Sequence, residues 1–429
     1  MNLLSRFKGS KEAKNAGWII AGKLIQMMLS FVVSILTARY LGTSNFGIIN
    51  YANAYVAFFT AFCTLGINSV IIKELVDDPD KQGETLGSAI GLRTISSLLS
   101  VVMIVGIVSI VDRNDPTIIW VVLLCSLSLV FQAVETFTYW FQSRYASKTT
   151  AIATLIGYVV ITSYKVLLLI LRKDVLWFAA SSAVDHACIA FLLFVAYRKA
   201  GGPRLSFSLN RAQRLLGRSY HYILSGMMVA IYGQTDKIML KHMLDESSVG
   251  LYSLATSLCG LWTFVLVAII DSLYPTIIQL YADKAYTQFE KKNRQLYAIV
   301  IYVSAFVGLM IMLFGEWAIA LLYGQEYIGA AAPLKIVAWY TIFSYLGVAR
   351  NAWIVCENKQ KYLKYMYFGA AVLNILLNLM MIPTWGAVGA AAASLITQVF
   401  TSIAIPYMIP AMRPNAKLMT EAFMLQKIR

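Results

Sequence analysis

Arg39-Tyr-Leu-Gly-Thr-Ser-Asn-Phe-Gly47 and Lys241-His-Met-Leu-Asp-Glu-Ser-Ser-Val-Gly250 are two versions of one short passage. In each, a basic residue closes one long apolar run, turn-forming residues follow, and the next apolar run begins. Tyr51 and Tyr252 then stand just inside that second run. A passage that recurs at the head of each half of a chain marks a duplicated unit.

Outward from these passages, apolar runs fill the chain. They fall near 15–41, 46–73, 85–111, 116–140, 149–171, 175–198, 217–244, 248–281, 294–323, 329–356, 362–382 and 385–410. About 20 apolar residues in helix cross a hydrocarbon core about 30 Å thick. The prediction is an all-α polytopic membrane protein with about twelve transmembrane helices. Only 13% of residues are charged, against about 25% in a soluble globule, so no soluble domain of any size is expected. The apolar run after the short basic start is too long for a cleavable signal peptide and lacks a cleavage site.

The longest connection, near 199–216, carries Gly201-Gly-Pro203 and parts six runs from six. It predicts an N-terminal six-helix bundle over 1–203 and a C-terminal one over 204–429, the latter with a basic cytoplasmic tail. Six is even, so the bundles are parallel repeats about an axis along the membrane normal, around a central cavity. The tail places apolar Leu418, Met419, Phe423, Met424 and Ile428 among Lys417, Lys427 and Arg429. A short helix on the inner leaflet fits that pattern; so does a frayed end.

Lys and Arg crowd into alternate loops. Among the opposite loops only Arg113, Arg172 and Lys173 are basic. The positive-inside rule then puts both termini in the cytoplasm. The net charge of +15 would suit nucleic acid, but its scatter over short loops on one side does not. Cys63, Cys125, Cys188, Cys259 and Cys356 sit singly inside runs with no metal-ligand spacing. No Ser/His/Asp set, paired carboxylates or phosphate-binding loop occurs, so no catalytic residue, metal or cofactor is expected.

Eight cations interrupt the apolar runs: Lys23, Arg39, Arg93, Lys165, Lys237, Lys241, Lys335 and Arg350. Each costs roughly 2.5–3.5 kcal/mol at mid-bilayer. A cationic cavity for an anionic substrate explains Lys23, Arg93, Arg350, Lys237, Lys165 and Arg39. Snorkelling to the headgroups is the alternative, and it suits Arg39, Lys241 and Lys335 at run ends. Four acids share the runs: Glu135, Asp185, Asp236 and Asp271. Asp185, Asp236 and Asp271 are candidates for proton or Na⁺ coupling. The other reading of Asp185 is a neutralising partner for a base such as Lys165. Asn374 and Asn378, four apart, share a helix face and should bond between helices. His221 reads as interfacial. Trp18, Tyr51, Tyr55, Tyr232 and Trp353 could stack on sugar rings, or simply pack.

Several of these residues fall in an ordered set. Asn15, Trp18, Ala38-Arg39-Tyr-Leu-Gly42, Phe46-Gly47, Tyr51 and Gly66 open it. Asp236-Lys-Ile-Met-Leu240 with Val249-Gly-Leu-Tyr252 continues it, and Asn374-Ile-Leu-Leu-Asn378, Ile382-Pro383, Gly386 and Gly389-Ala-Ala391 close it. The set resembles the polysaccharide (O-antigen type) flippases of the multidrug/oligosaccharidyl-lipid/polysaccharide exporter superfamily, over nearly the whole chain. The resemblance implies a transporter in the bacterial cytoplasmic membrane. It would move undecaprenyl-diphosphate-linked glycan to the outer leaflet by alternating access, in contact with membrane lipid and alongside polysaccharide polymerase machinery. A cation-coupled multidrug exporter would instead want an acid-dominated cavity. A membrane-embedded polysaccharide polymerase or ligase would need a catalytic surface, which the short outer loops do not offer.

Overall fold

The computed structural model describes the backbone of residues 11–425 and, within them, every side chain except those of 11–25, 28, 69, 220–222, 224, 225 and 232. Lys23, Asn15, Trp18, His221 and Tyr232 thus lie outside the described side chains, as do residues 426–429. The described residues contain no strand. In the first half they form α1 (Lys11–Cys63), α2 (Asn68–Asp77), α3 (Gln82–Val111), α4 (Pro116–Ser126), α5 (Ser128–Val134), α6 (Phe137–Ser143), α7 (Ser147–Ile170) and α8 (Val175–Lys199). The second half holds α9 (Leu209–Met243), α10 (Glu246–Gly260), α11 (Thr263–Ala282), α12 (Tyr286–Leu322), α13 (Ala331–Ala349), α14 (Asn351–Cys356), α15 (Leu363–Val399), α16 (Ile405–Met408) and α17 (Arg413–Phe423).

Two of these helices are each two segments. Gly42 breaks α1 at φ 72° and Gly386 breaks α15 at φ 59°, backbone that a side chain would strain. Both breaks fall where turn residues end an apolar run. By length and composition, nine stretches among the described residues suffice to cross a membrane. One of them, Gln360–Met408, has 49 residues. As one straight helix it would reach about 70 Å, more than twice a bilayer core, so the Gly386 break turns it back. The chain is a multi-pass membrane protein whose outward side chains are apolar. Val102, Ile110, Ile170, Leu313 and Met380 are each about 70% exposed or more, as lipid-facing positions require.

Helix starts follow local chemistry. Asp115 accepts from the Thr117 and Ile118 N–H groups at 2.9 and 3.3 Å, with Pro116 in the first turn of α4. Asp245 accepts from the Ser248 N–H at 2.7 Å and starts α10.

The chain divides into two compact units, Met1–Ala230 and Ile231–Arg429. The first has a core of Leu65, Ile71, Phe137, Trp140, Leu193 and Tyr197. The connection after α8 belongs to it. The Ser206 N–H donates to the Gly83 carbonyl at 3.2 Å, and the Ser208 N–H to Ser88 Oγ at 2.9 Å. A Cβ on Gly83 would lie 2.2 Å from the Arg204 carbonyl oxygen, and one on Gly87 2.3 Å from that of Ser206. Only glycine permits so close an approach of strap and helix. Buried Arg211 then grips Glu74 at 3.1 Å and Asp78 at 2.7 Å, and Arg218 also pairs with Glu74.

The second unit has a core of Tyr297, Ile301, Leu346, Trp353, Met366 and Met419. The tail is helical over α17. Leu418, Met419 and Ala422 pack into the core with α12, pinned by Arg294–Glu421 at 2.7 Å and Asn415 Nδ2–Tyr297 Oη at 2.7 Å, while Phe423 and Met424 stay exposed.

Candidate functional site

In the second unit polar side chains of α10 and α15 converge on Asp236 of α9, which is 3% exposed. Tyr252 Oη of α10 donates to Oδ2 at 2.5 Å, Asn378 Nδ2 of α15 donates to Oδ1 at 2.7 Å, and Ser394 Oγ donates to Oδ2. Asn378 Nδ2 also reaches Asn374 Oδ1 at 3.1 Å, and Asn374 Nδ2 reaches Ser394 Oγ at 3.5 Å. Asn374 and Asn378 precede the Gly386 break and Ser394 follows it, so the folded-back α15 supplies donors from both arms. The Asp245 cap fixes where α10 begins and hence where Tyr252 stands.

An ionised carboxylate in a low-dielectric interior costs several kcal/mol unless compensated. Here neutral donors from Tyr, Asn and Ser compensate it. One acceptor is left over: the buried Asn378 Oδ1 has no hydrogen-bond partner. A carboxylate beside a spare carbonyl oxygen makes an electronegative spot that suits a small cation. A cavity of about 300 Å³ opens on the cluster and is also lined by Lys237, Tyr340, Thr341 and Gln398. Asp236 and Lys237 both border it, although neighbours along a helix do not face each other.

The first unit carries a different cluster. Glu135 Oε1 pairs with His186 Nδ1 at 2.7 Å, and Gln132 Nε2 lies 3.3 Å from His186 Nε2. Asp185 Oδ1 is buried without a hydrogen-bond partner. Lys165 acts on Asp185 electrostatically but forms no ion pair with it among the described residues. Arg93 of α3 is 5% exposed; its Nη1 donates to Thr136 Oγ1 at 2.7 Å while its buried Nε has no partner. Glu135 and Thr136 occupy the break between α5 and α6, where the helix loses its regular ladder. Tyr51 Oη donates to buried Asp112 at 2.7 Å, as Tyr252 does to Asp236, so the recurring tyrosines do the same job with carboxylates from different spans.

The remaining candidates disperse. Arg350 is 1% exposed and donates through Nη1 to the Thr401 carbonyl at 3.0 Å. That carbonyl belongs to the π-helical turn Phe400–Ala404, whose widened ring frees backbone acceptors. Arg39 and Asp271 are exposed and join neither cluster. Lys241 meets Glu246 at 3.8 Å and Lys335 meets Glu316 at 3.3 Å near helix ends. Among the predicted aromatics, Tyr51, Tyr55 and Trp353 are buried.

Sequence reasoning set Asn374 and Asn378 on one face and expected them to bond between helices, as Asn378 does with Asp236, but it did not name Asp236 or Ser394 as partners. It missed the Glu135–His186 pair. The usable signal was that Gln132 and Glu135 interrupt an apolar run three residues apart.

Residues 13–281 match the family described as polysaccharide biosynthesis protein, and residues 222–380 match MatE. The chain is 20% identical over 404 residues to the capsular polysaccharide biosynthesis protein CapF of Staphylococcus aureus, covering 92% of this chain and 98% of that one. The fold resembles that of the lipid II flippase MurJ in an inward closed conformation, with a TM-score of 0.71 at 13% identity over 94% of this chain and 90% of MurJ. It equally resembles an inward-facing multidrug resistance MATE family transporter, with a TM-score of 0.71 at 13% identity over 91% of this chain and 95% of that one. With most of its length matched by the first family, this multi-pass membrane chain belongs to the polysaccharide biosynthesis proteins.

Proposed function

We propose that the chain is a flippase that carries undecaprenyl-diphosphate-linked oligosaccharide repeat units across the bacterial cytoplasmic membrane by alternating access, for surface polysaccharide. The observation that carries this reading is an Asp236 carboxylate held by neutral donors at a cavity that Lys237 also lines. Hydrocarbon cannot solvate a diphosphate. Cations within the spans can, and Lys237 and Arg93 are the best placed. Lys237 borders a cavity, and Arg93 keeps a donor without a partner. Asp236 takes the coupling cation, H⁺ or Na⁺, whose gradient drives the cycle. Polysaccharide polymerase machinery would receive the product outside.

The MatE match and the MATE-like fold favour a second reading, a cation-coupled exporter of cationic drugs. Proteoliposomes separate the two. The flippase reading expects transfer of undecaprenyl-diphosphate-linked glycan by the wild type and at least about a tenfold loss in Lys237→Ala and Arg93→Ala, the scale of one lost charge-assisted contact. Absence of glycan transfer together with cation-driven dye exchange would establish the exporter instead.

A further inference from the structure

The packing of α17 on α12 leaves a cleft of about 730 Å³ at the end of the second unit. Arg294, Arg413, Lys417, Glu290 and Glu421 line it. Three observations make it a site rather than a gap.

Arg294 is 7% exposed, and it spends Nη1 on Glu421 at 2.7 Å and, more loosely, on Glu290 at 3.9 Å. Its buried Nε has no hydrogen-bond partner. A buried guanidinium donor without an acceptor is costly, and Arg294 is among the residues that border the cleft. Arg413 and Lys417, one helical turn apart, are both exposed at the rim. Arg413 uses Nε on the Tyr407 carbonyl at 2.9 Å, which holds its side chain at the mouth. Finally, α17 starts without a side-chain cap, so its positive end meets the cleft beside Arg413 and Pro414. Both carboxylates are already engaged by Arg294, so the unspent charge is positive. The surroundings are greasy: Tyr407, Met408, Phe423 and Met424 are exposed beside the cleft, at 39%, 68%, 40% and 68%.

We propose that this cleft binds the phosphodiester headgroup of a membrane phospholipid, with Arg294, Arg413 and Lys417 on the phosphate and the acyl chains along the apolar fringe. Under the positive-inside expectation that lipid belongs to the inner leaflet. A bound lipid would hold α17 against α12 from outside, completing a contact that the chain makes from within. The site is independent of the transported substrate.

The test uses the purified full chain stripped of lipid in detergent and titrated with short-chain phosphatidylglycerol, with bound lipid counted by native mass spectrometry. Arg413→Ala/Lys417→Ala should retain lipid about tenfold less well, as loss of charge-assisted phosphate contacts implies. Lys361→Ala/Lys364→Ala, which removes the same charge elsewhere, should bind as the wild type does. Both pairs are exposed, and an unchanged thermal midpoint confirms that each variant is folded. Equal binding by Arg413→Ala/Lys417→Ala and wild type overturns the proposal, and so does equal loss in both double variants. Displacement of the lipid by millimolar inorganic phosphate would reassign the cleft to a free phosphate and overturn the lipid assignment.

Discussion

Two buried acids, Glu74 in the first unit and Asp236 in the second, are handled in opposite ways. The first is met by opposite charge, from Arg211 and Arg218. The second is surrounded by hydroxyls and an amide. In an ion pair the two charges largely answer each other. Asp236, held by hydroxyls and an amide, has no opposite charge in hydrogen-bond contact with it among the described residues. Two units of one chain can therefore differ in role through what faces a buried acid.

The largest effect should come from removing the Asp236 charge alone. Asp236→Asn keeps an acceptor oxygen and much of the shape, and should lower glycan flipping by about a hundredfold, the scale of lost hydrogen bonds to a charged group. Glu74→Gln should lower it far less. Proteoliposome rates for the two variants, side by side, break the comparison if they fall equally.

A smaller effect concerns stability in the first half. Arg211→Ala leaves buried Glu74 with Arg218 and Asp78 with only the more distant charges of Arg214 and Lys81. Breaking a buried pair costs about 3–5 kcal/mol, but the surviving partner and the partial exposure of Asp78 reduce this to about 2 kcal/mol. Thermal unfolding should show a midpoint lower by several degrees, and a midpoint equal to wild type would mean that the strap is held by its backbone alone.

The smallest effect is a pH window. The hydrogen bond from Arg211 holds the Asp78 carboxyl below the usual carboxylate range, against the opposing pull of desolvation. A depressed folded value means stability that is present above the unfolded value, about 3.9, and lost as pH falls through the folded one. The stability gap between wild type and Arg211→Ala should therefore hold near neutral pH and narrow below about pH 4. A gap unchanged down to pH 3 would remove Asp78 from the account.

Much of the fold was legible because hydropathy and turn residues are local. Gly42 and Gly386 break helices where the runs end, and Asp115 and Asp245 cap helices where the next runs begin. The tail helix was legible from its two-sided composition, but its contact with α12 was not. Lipid and a neighbouring helix look alike to an apolar face, and the Arg294–Glu421 pair that pins α17 to α12 spans 127 positions. The site was legible as a list of costly residues and not as an assembly. Asp236 meets Asn378 across 142 positions and Ser394 across 158; periodicity tells which face a side chain occupies, never what stands opposite.

The strap after α8 has a practical side. Long polar connections are where fusion partners, epitope tags and protease sites are usually placed, on the understanding that such a stretch has length to spare. This one has little: its Ser206 and Ser208 N–H groups are spent on α3, and its Arg204 and Ser206 carbonyl oxygens rest where a side-chain carbon would sit. It is upholstery tacked to the frame at these points, and an insertion there would pull the cover off the helix beneath.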